Sequence, residues 1–186
     1  MDDNITIMII SLLVLIFFSA FFSATETAYS SLNRIRLKNM AELNDKAKRA
    51  LKLVDNYDSL LSTILVGNNI VNIAATTIAT VLFTKIYGDT GATIATIVMT
   101  VVVLIFGEVT PKSIAKESPE KFALAVSGPI SFIKIILTPI NFIFTLWKKL
   151  IAQLRQYVAD HPPDYGDGDC HSILDIPVIF PLSGKK

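Results

Sequence analysis

Three short clusters carry side chains able to do chemistry, and each is embedded in a long apolar run. The first reads Ser19-Ala-Phe-Phe-Ser23-Ala-Thr25-Glu26-Thr27. Ser19, Ser23 and Thr27 fall at i, i+4 and i+8, so one helix face presents three hydroxyls, with Glu26 close to that face. The second reads Gly67-Asn68-Asn69-Ile-Val-Asn72 and sets the amide oxygens of Asn68 and Asn72 one turn apart. The third reads Phe106-Gly107-Glu108-Val109-Thr110-Pro111-Lys112. Pro111 has no N–H to give the carbonyl of Gly107, so α-helical spacing predicts a freed carbonyl beside a carboxylate.

Hydroxyl, amide, carboxylate and free carbonyl are all oxygen donors. Such a set suits hard cations, and a sparse one that leaves waters in place suits Mg²⁺, which dehydrates reluctantly. The sole cysteine, Cys170, and both histidines, His161 and His171, lie near the C-terminal end, so a thiolate or imidazole site cannot be built in these runs. Each cluster also has a structural reading. Ser19-xxx-Ser23 and Ala20-xxx-Ala24-xxx-Ala28 are small-residue patterns of a helix interface, and serines in spans bond back to their own helix. Asparagines in a span can be interhelical glue. Glu108 could pair with Lys112 at i, i+4, although a carboxylate at membrane depth is first a functional hypothesis.

The elements that position these clusters are set by hydropathy. Of 186 residues, 52% are hydrophobic in type and 18% charged, below the roughly 25% charged of a soluble domain. Ile5 to Phe22, Ser59 to Thr84 and Thr90 to Gly107 carry no charge, and Phe122 to Trp147 is broken only by Lys134. About 20 helical residues cross a hydrocarbon core of roughly 30 Å, so these lengths predict membrane spans. The alternative, a buried core in a soluble helical bundle, leaves too little polar helix face to wrap four such runs. The N-terminus, Met1-Asp2-Asp3-Asn4, is acidic where a signal peptide is basic, which favours a retained first span. A net charge of +1, from 17 Lys and Arg against 16 Asp and Glu, lacks the basic excess that nucleic acid selects, so no nucleic-acid partner is expected.

The expected fold is therefore all-α: an integral membrane domain over 1–156 with spans near 5–30, 59–84 and 90–110, followed by a segment over 122–150. Arg34, Arg36, Lys38, Lys46, Lys48, Arg49 and Lys52 load the first connection, whereas the second holds only Lys85. The basic side faces the cytoplasm, which puts the N-terminus outside. Basic residues flank the fourth segment on both sides, and Pro129 and Pro139 interrupt it, so a kinked juxtamembrane or re-entrant hairpin is expected, with the C-terminus cytoplasmic. A kinked fourth span is the alternative. The first connection predicts an amphipathic cytoplasmic collar, with Leu37, Met40, Leu43, Ala47, Leu51 and Val54 recurring at spacings of three and four. Residues 157–186 hold four prolines, three glycines and five aspartates, which predicts a disordered tail. Asp164, Asp167 and Asp169 resemble a calcium loop only faintly, since no closing glutamate follows.

With the three clusters in this order, the sequence resembles the transmembrane domain of the CorC and cyclin-M (CNNM) family of magnesium transport proteins. The likeness runs through FFSAFFSATETAYSSL, TILVGNNIVN and FGEVTPKSIAKESPE and covers about residues 4 to 155. It implies a multi-pass homodimer in the cell membrane, embedded in the lipid bilayer through three spans and a kinked juxtamembrane helix per subunit. The implied activity is Mg²⁺ efflux, in many accounts coupled to Na⁺. The family's ion-site serine falls on Ser23, with Ser19 a turn before it, its asparagine after glycine on Asn68, and its acidic residue on Glu108. Asn69, Asn72 and Glu26 match positions lining the same inward cavity. Family members usually continue into a helical linker and a pair of cystathionine-β-synthase modules. The residues after Gln156 do not look like that linker, which suggests a natural short form, a truncated gene or an altered reading frame, and nucleotide-dependent regulation is not expected of this chain. Two other classes stand beside transport: a membrane scaffold or Mg²⁺ sensor, and an intramembrane enzyme. The second finds no HExxH, no GxSxG and no histidine in any span.

Overall fold

The computed structural model describes residues 3–139, 142, 146, 147 and 151–153. All regular structure among them is helical: α1 (Asp3–Ser31), α2 (Arg34–Ala41), α3 (Asp45–Asp55), α4 (Tyr57–Tyr87), α5 (Gly91–Val102), α6 (Thr110–Glu117) and α7 (Pro119–Ile136). A 3₁₀ turn, Gly88–Thr90, joins α4 to α5, and a π-helical segment, Val103–Val109, joins α5 to α6. Two stretches are long and apolar enough to cross a membrane, Asn4–Ser31 and Tyr57–Glu117. The second is the continuous run from α4 to α6, which contains both of the later spans expected from hydropathy.

That run folds back on itself at a pair of glycines. Gly88 adopts φ +64°, a backbone region that side chains disfavour. A Cβ on Gly91 would run into the carbonyl of Phe83, so α5 can turn this tightly onto α4 only at glycine. Beyond the turn, Ala75, Ala79 and Ala95 are buried with Leu12, Leu82 and Met99, and these small residues let the helices approach closely. Toward the other end a second core forms around Leu37, Leu60, Ile64 and Ile130, with Ala28, Ala115 and Ala123. Large apolar side chains also point outward, among them Ile10, Leu13, Phe17, Ile97, Val101 and Ile105. A helix pair apolar both inside and outside suits a hydrocarbon solvent.

The collar differs from a single amphipathic stripe. Asn33 and Asn44 each cap a separate helix: Asn33 Oδ1 accepts from the N–H groups of Ile35 and Arg36, and Asn44 Oδ1 from that of Lys46. Leu43 falls in the turn between α2 and α3 and is 94% exposed, while Leu37, Ala41, Ala47, Ala50, Leu53 and Val54 are buried. Two ties join this region and the end of α1 to α7: Tyr29 Oη donates to the Ala123 carbonyl at 3.2 Å, and Arg36 approaches Glu120 at 3.9 Å. α7 runs through Pro129 without ending, and the chain turns at Leu137, just before Pro139.

The chain divides into two units, Met1–Phe144 and Thr145–Lys186. In the second, residues 146, 147 and 151–153 are helical. The tail expected over 157–186 lies outside the described residues, as does much of the second half of the 122–150 segment.

Candidate cation site

The crossing of α1 and α4 is set by Gly67. A Cβ there would stand 2.5 Å from Phe22 Cζ, so the Phe22 ring lies directly on the α4 backbone and draws the serine face of α1 up to Asn68. Ser19 Oγ donates to Asn68 Oδ1 at 3.4 Å, a long hydrogen bond. From the other side the π-helical segment brings in Gly107, whose absent Cβ would sit 2.7 Å from Ser19 Oγ. Three elements, from clusters 49 and 39 residues apart along the chain, thus meet at one hydroxyl.

Ser19 and Ser23 are each 1% exposed, and among the described residues Ser23 Oγ has no hydrogen-bond partner. Asn72 Oδ1, one turn along α4 from Asn68, is likewise buried and unpartnered. An orphaned buried polar atom costs about 1–3 kcal/mol, so two of them within a turn of the Ser19–Asn68 contact mark a place that a ligand would complete. The geometry fits a small hard cation. Two oxygens at right angles around Mg²⁺, each at 2.0–2.1 Å, lie about 2.9 Å apart, slightly closer than Ser19 Oγ and Asn68 Oδ1 stand at 3.4 Å. Among the described residues no three His, Cys, Asp or Glu side chains converge, so the oxygens on offer here are neutral ones and one carboxylate.

That carboxylate is Glu108, half-buried, and it lines a cavity of about 270 Å³ together with Asn72, Thr76, Thr96, Met99, Thr100, Val103 and Leu104. It makes no ion pair among the described residues. Lys112, the i, i+4 partner that the structural reading allowed it, instead pairs with Glu26 across α1 and α6 at 3.3 Å. The reason is the π register, in which Thr110 N–H donates to the Ile105 carbonyl five residues back and the i, i+4 alignment of Glu108 with Lys112 is lost. Pro111 has no N–H, so the carbonyl one turn back, at Phe106 or Gly107, lacks its helical donor.

The expected residues therefore divide. Ser19, Asn68 and Gly107 are brought together, with Ser23 one turn on, and Asn72 and Glu108 share the adjoining cavity. Glu26 is engaged by Lys112, and Asn69 points to the exposed side of α4. Thr76, Thr96 and Thr100 were not among the residues expected. Their only sequence signal is the i, i+4 spacing of Thr96 and Thr100, which also describes ordinary back-bonding. Because the Glu26–Lys112 pair is partly solvent-exposed, Glu26→Ala is expected to change stability by less than about 1 kcal/mol. It should also leave any cation affinity within about twofold of wild type, a difference of under about half a kcal/mol; titration calorimetry and a thermal melt check both.

A bundle of apolar helices of membrane-spanning length, with hydroxyl and amide oxygens at its interior crossing and a carboxylate in the adjoining cavity, has the makeup of a membrane domain. The chain belongs to the family described as the cyclin M transmembrane N-terminal domain (CNNM), which it matches over residues 9–177. The match runs past residue 156, so the boundary expected there does not end the family likeness. Over 143 residues the chain is 41% identical to the UPF0053 inner membrane protein YfjD of Escherichia coli K12, covering 76% of this chain and 33% of that protein. It is 40% identical over 146 residues to a UPF0053 protein of Haemophilus influenzae, covering 78% of this chain and 35% of that one. A more distant relative, the polyamine export protein of Escherichia coli K12, is 24% identical over 192 residues, 96% of this chain and 43% of that protein. The chain thus spans about a third of the length of the first two relatives.

Proposed function

We propose that this domain transports Mg²⁺ across the membrane. The observation that carries the reading is the convergence of Ser19, Asn68 and Gly107 beside two orphaned oxygens, Ser23 Oγ and Asn72 Oδ1. Ser19, Ser23 and Asn68 replace part of the ion's hydration shell, a carbonyl at Phe106 or Gly107 adds a further oxygen, and Asn72 and Glu108 supply a neighbouring amide and the counter-charge. Membrane transport agrees with the family and with the relative named for polyamine export. The ion, its efflux from the cytoplasm and its coupling to Na⁺ follow the resemblance.

The proposed arrangement has three spans, α1, α4 and α5 with its π continuation, an external N-terminus, a cytoplasmic C-terminus, and two copies associated through their membrane helices. The moving part is the π-helical segment. A π turn is less favourable than α and persists where function uses it, and relaxing it to α would rotate Glu108 about the helix axis and carry Gly107 off Ser19. Alternating access then needs only that local change of register.

Titration of the purified, detergent-solubilised chain with Mg²⁺, beside Ca²⁺ and Na⁺, tests the reading. Saturable Mg²⁺ binding is expected, weakened about tenfold or more in Glu108→Gln, as loss of a charge partner in a semi-buried site predicts. A folded protein that binds no Mg²⁺ would instead be the non-transporting scaffold or regulatory subunit.

A further inference from the structure

The collar encloses a cavity of its own, about 400 Å³, lined by Arg34, Ile35 and Lys38 of α2 and by Leu51 and Asp55 of α3. That volume falls within the range of organic-ligand sites, roughly 300–1,000 Å³. Arg34 is fixed from one side: its Nη2 donates to the Val54 carbonyl in the last turn of α3 at 2.9 Å and stands 3.4 Å from Asp55 Oδ1. Both contacts use that one nitrogen, so among the described residues the Nε and Nη1 hydrogens of the planar fork have no partner. Lys38, one turn further along α2, makes no ion pair among the described residues. Two cations against one carboxylate leave the cavity a single positive charge. Its complement is a monoanion whose oxygens accept from Arg34 and Lys38 and which carries a hydroxyl for Asp55, as a phosphodiester with a hydroxylated headgroup does.

The position of the cavity decides where such an anion comes from. Arg34 follows closely on the end of α1 at Ser31, and Asp55 comes just before the start of α4 at Tyr57, so the cavity lies where two helices of membrane length leave the hydrocarbon. Ile35, beside the two cations, is 75% exposed, and Leu51 adds further apolar lining. A soluble phosphate gains nothing from these side chains and meets only solvent-exposed charges, which hold it weakly. A lipid is already concentrated at that level and covers Ile35 as it binds. We infer that this cavity binds the headgroup of an anionic phospholipid, its phosphodiester between Arg34 and Lys38, a headgroup hydroxyl on Asp55, and its first methylenes along Ile35 and Leu51. The inference rests on the membrane setting of α1 and α4 and does not depend on Mg²⁺ binding.

The test is native mass spectrometry of the full chain in a neutral detergent, titrated with phosphatidylglycerol or with phosphatidylcholine of the same acyl chains, comparing wild type with Lys38→Gln and Lys46→Gln. Both lysines are exposed and without an ion pair among the described residues, so neither change should disturb the fold, and only Lys38 lines the cavity. Phosphatidylglycerol should bind saturably and about tenfold or more tighter than phosphatidylcholine. Lys38→Gln should lower its affinity about fivefold, the worth of one basic side chain at an anionic lipid surface, whereas Lys46→Gln should stay within about twofold of wild type. Inorganic phosphate at equal concentration should displace none of the lipid. Equal binding of the two lipids would overturn the inference, and so would phosphatidylglycerol affinity unchanged in Lys38→Gln. Equal losses in the two lysine variants would overturn it in favour of a diffuse basic surface, and displacement by phosphate in favour of a soluble anion.

Discussion

Asn68→Ala is expected to lower Mg²⁺ affinity by about a hundredfold or more while the protein keeps its fold. Even loss of a residue that only orients a metal ligand typically costs 10–100-fold, and Asn68 is placed here as a ligand itself. Its hydrogen bond to Ser19 is long, at 3.4 Å, so the stability lost with the amide should not exceed about 1 kcal/mol. Asn68→Asp keeps an oxygen at the same place and adds charge, so it should retain Mg²⁺ binding. Titration beside a thermal melt separates the two effects. If Asn68→Ala bound Mg²⁺ as wild type does, Ser19–Asn68 would be a packing contact and nothing more.

Gly107→Ala should be nearly as damaging, by a steric route. Its Cβ would come within 2.7 Å of Ser19 Oγ and 3.4 Å of Val103 Cγ1, so either Ser19 rotates away from Asn68 or the π-helical segment shifts. Overpacking of this kind costs about 1–3 kcal/mol, and any cost met by turning Ser19 away falls on the site. We expect a fall in Mg²⁺ affinity of at least tenfold, or about 1.4 kcal/mol. In a Ser19→Ala background the obstructing oxygen is gone, so adding Gly107→Ala should produce little further loss. That non-additivity, measured as a double-mutant cycle, distinguishes direct contact from a general weakening of the helix. Additive losses would place the effect of Gly107 elsewhere.

The sequence made the spans legible because an uncharged run of membrane length has few other uses, and it made the clusters legible because polar residues stand out within such runs. Ser19, Asn68 and Gly107 were found this way, and helix packing brings them together. What stayed hidden is instructive. The π-helical segment has no distinct composition, since Val-Leu-Ile-Phe suits an α-helix equally well. Reading it as α aligned Glu108 with Lys112, whereas Lys112 pairs with Glu26. Leu43 matched the collar's spacing, yet the Asn44 cap starts a new helix and puts it in the turn. The threonines of the α4–α5 cavity were passed over because they do what span threonines ordinarily do. Their bonds back to the helix are real, and those bonds are what leave only lone pairs facing the cavity.

The central claim is that these oxygens form part of a pathway for Mg²⁺ across a bilayer, and flux through the purified chain tests it most directly. Vesicles reconstituted with the pure protein and loaded with a Mg²⁺-sensitive dye should show saturable Mg²⁺ movement well above protein-free vesicles, abolished in Asn68→Ala. Vesicles that contain folded wild-type protein and pass Mg²⁺ no faster than protein-free ones would contradict it.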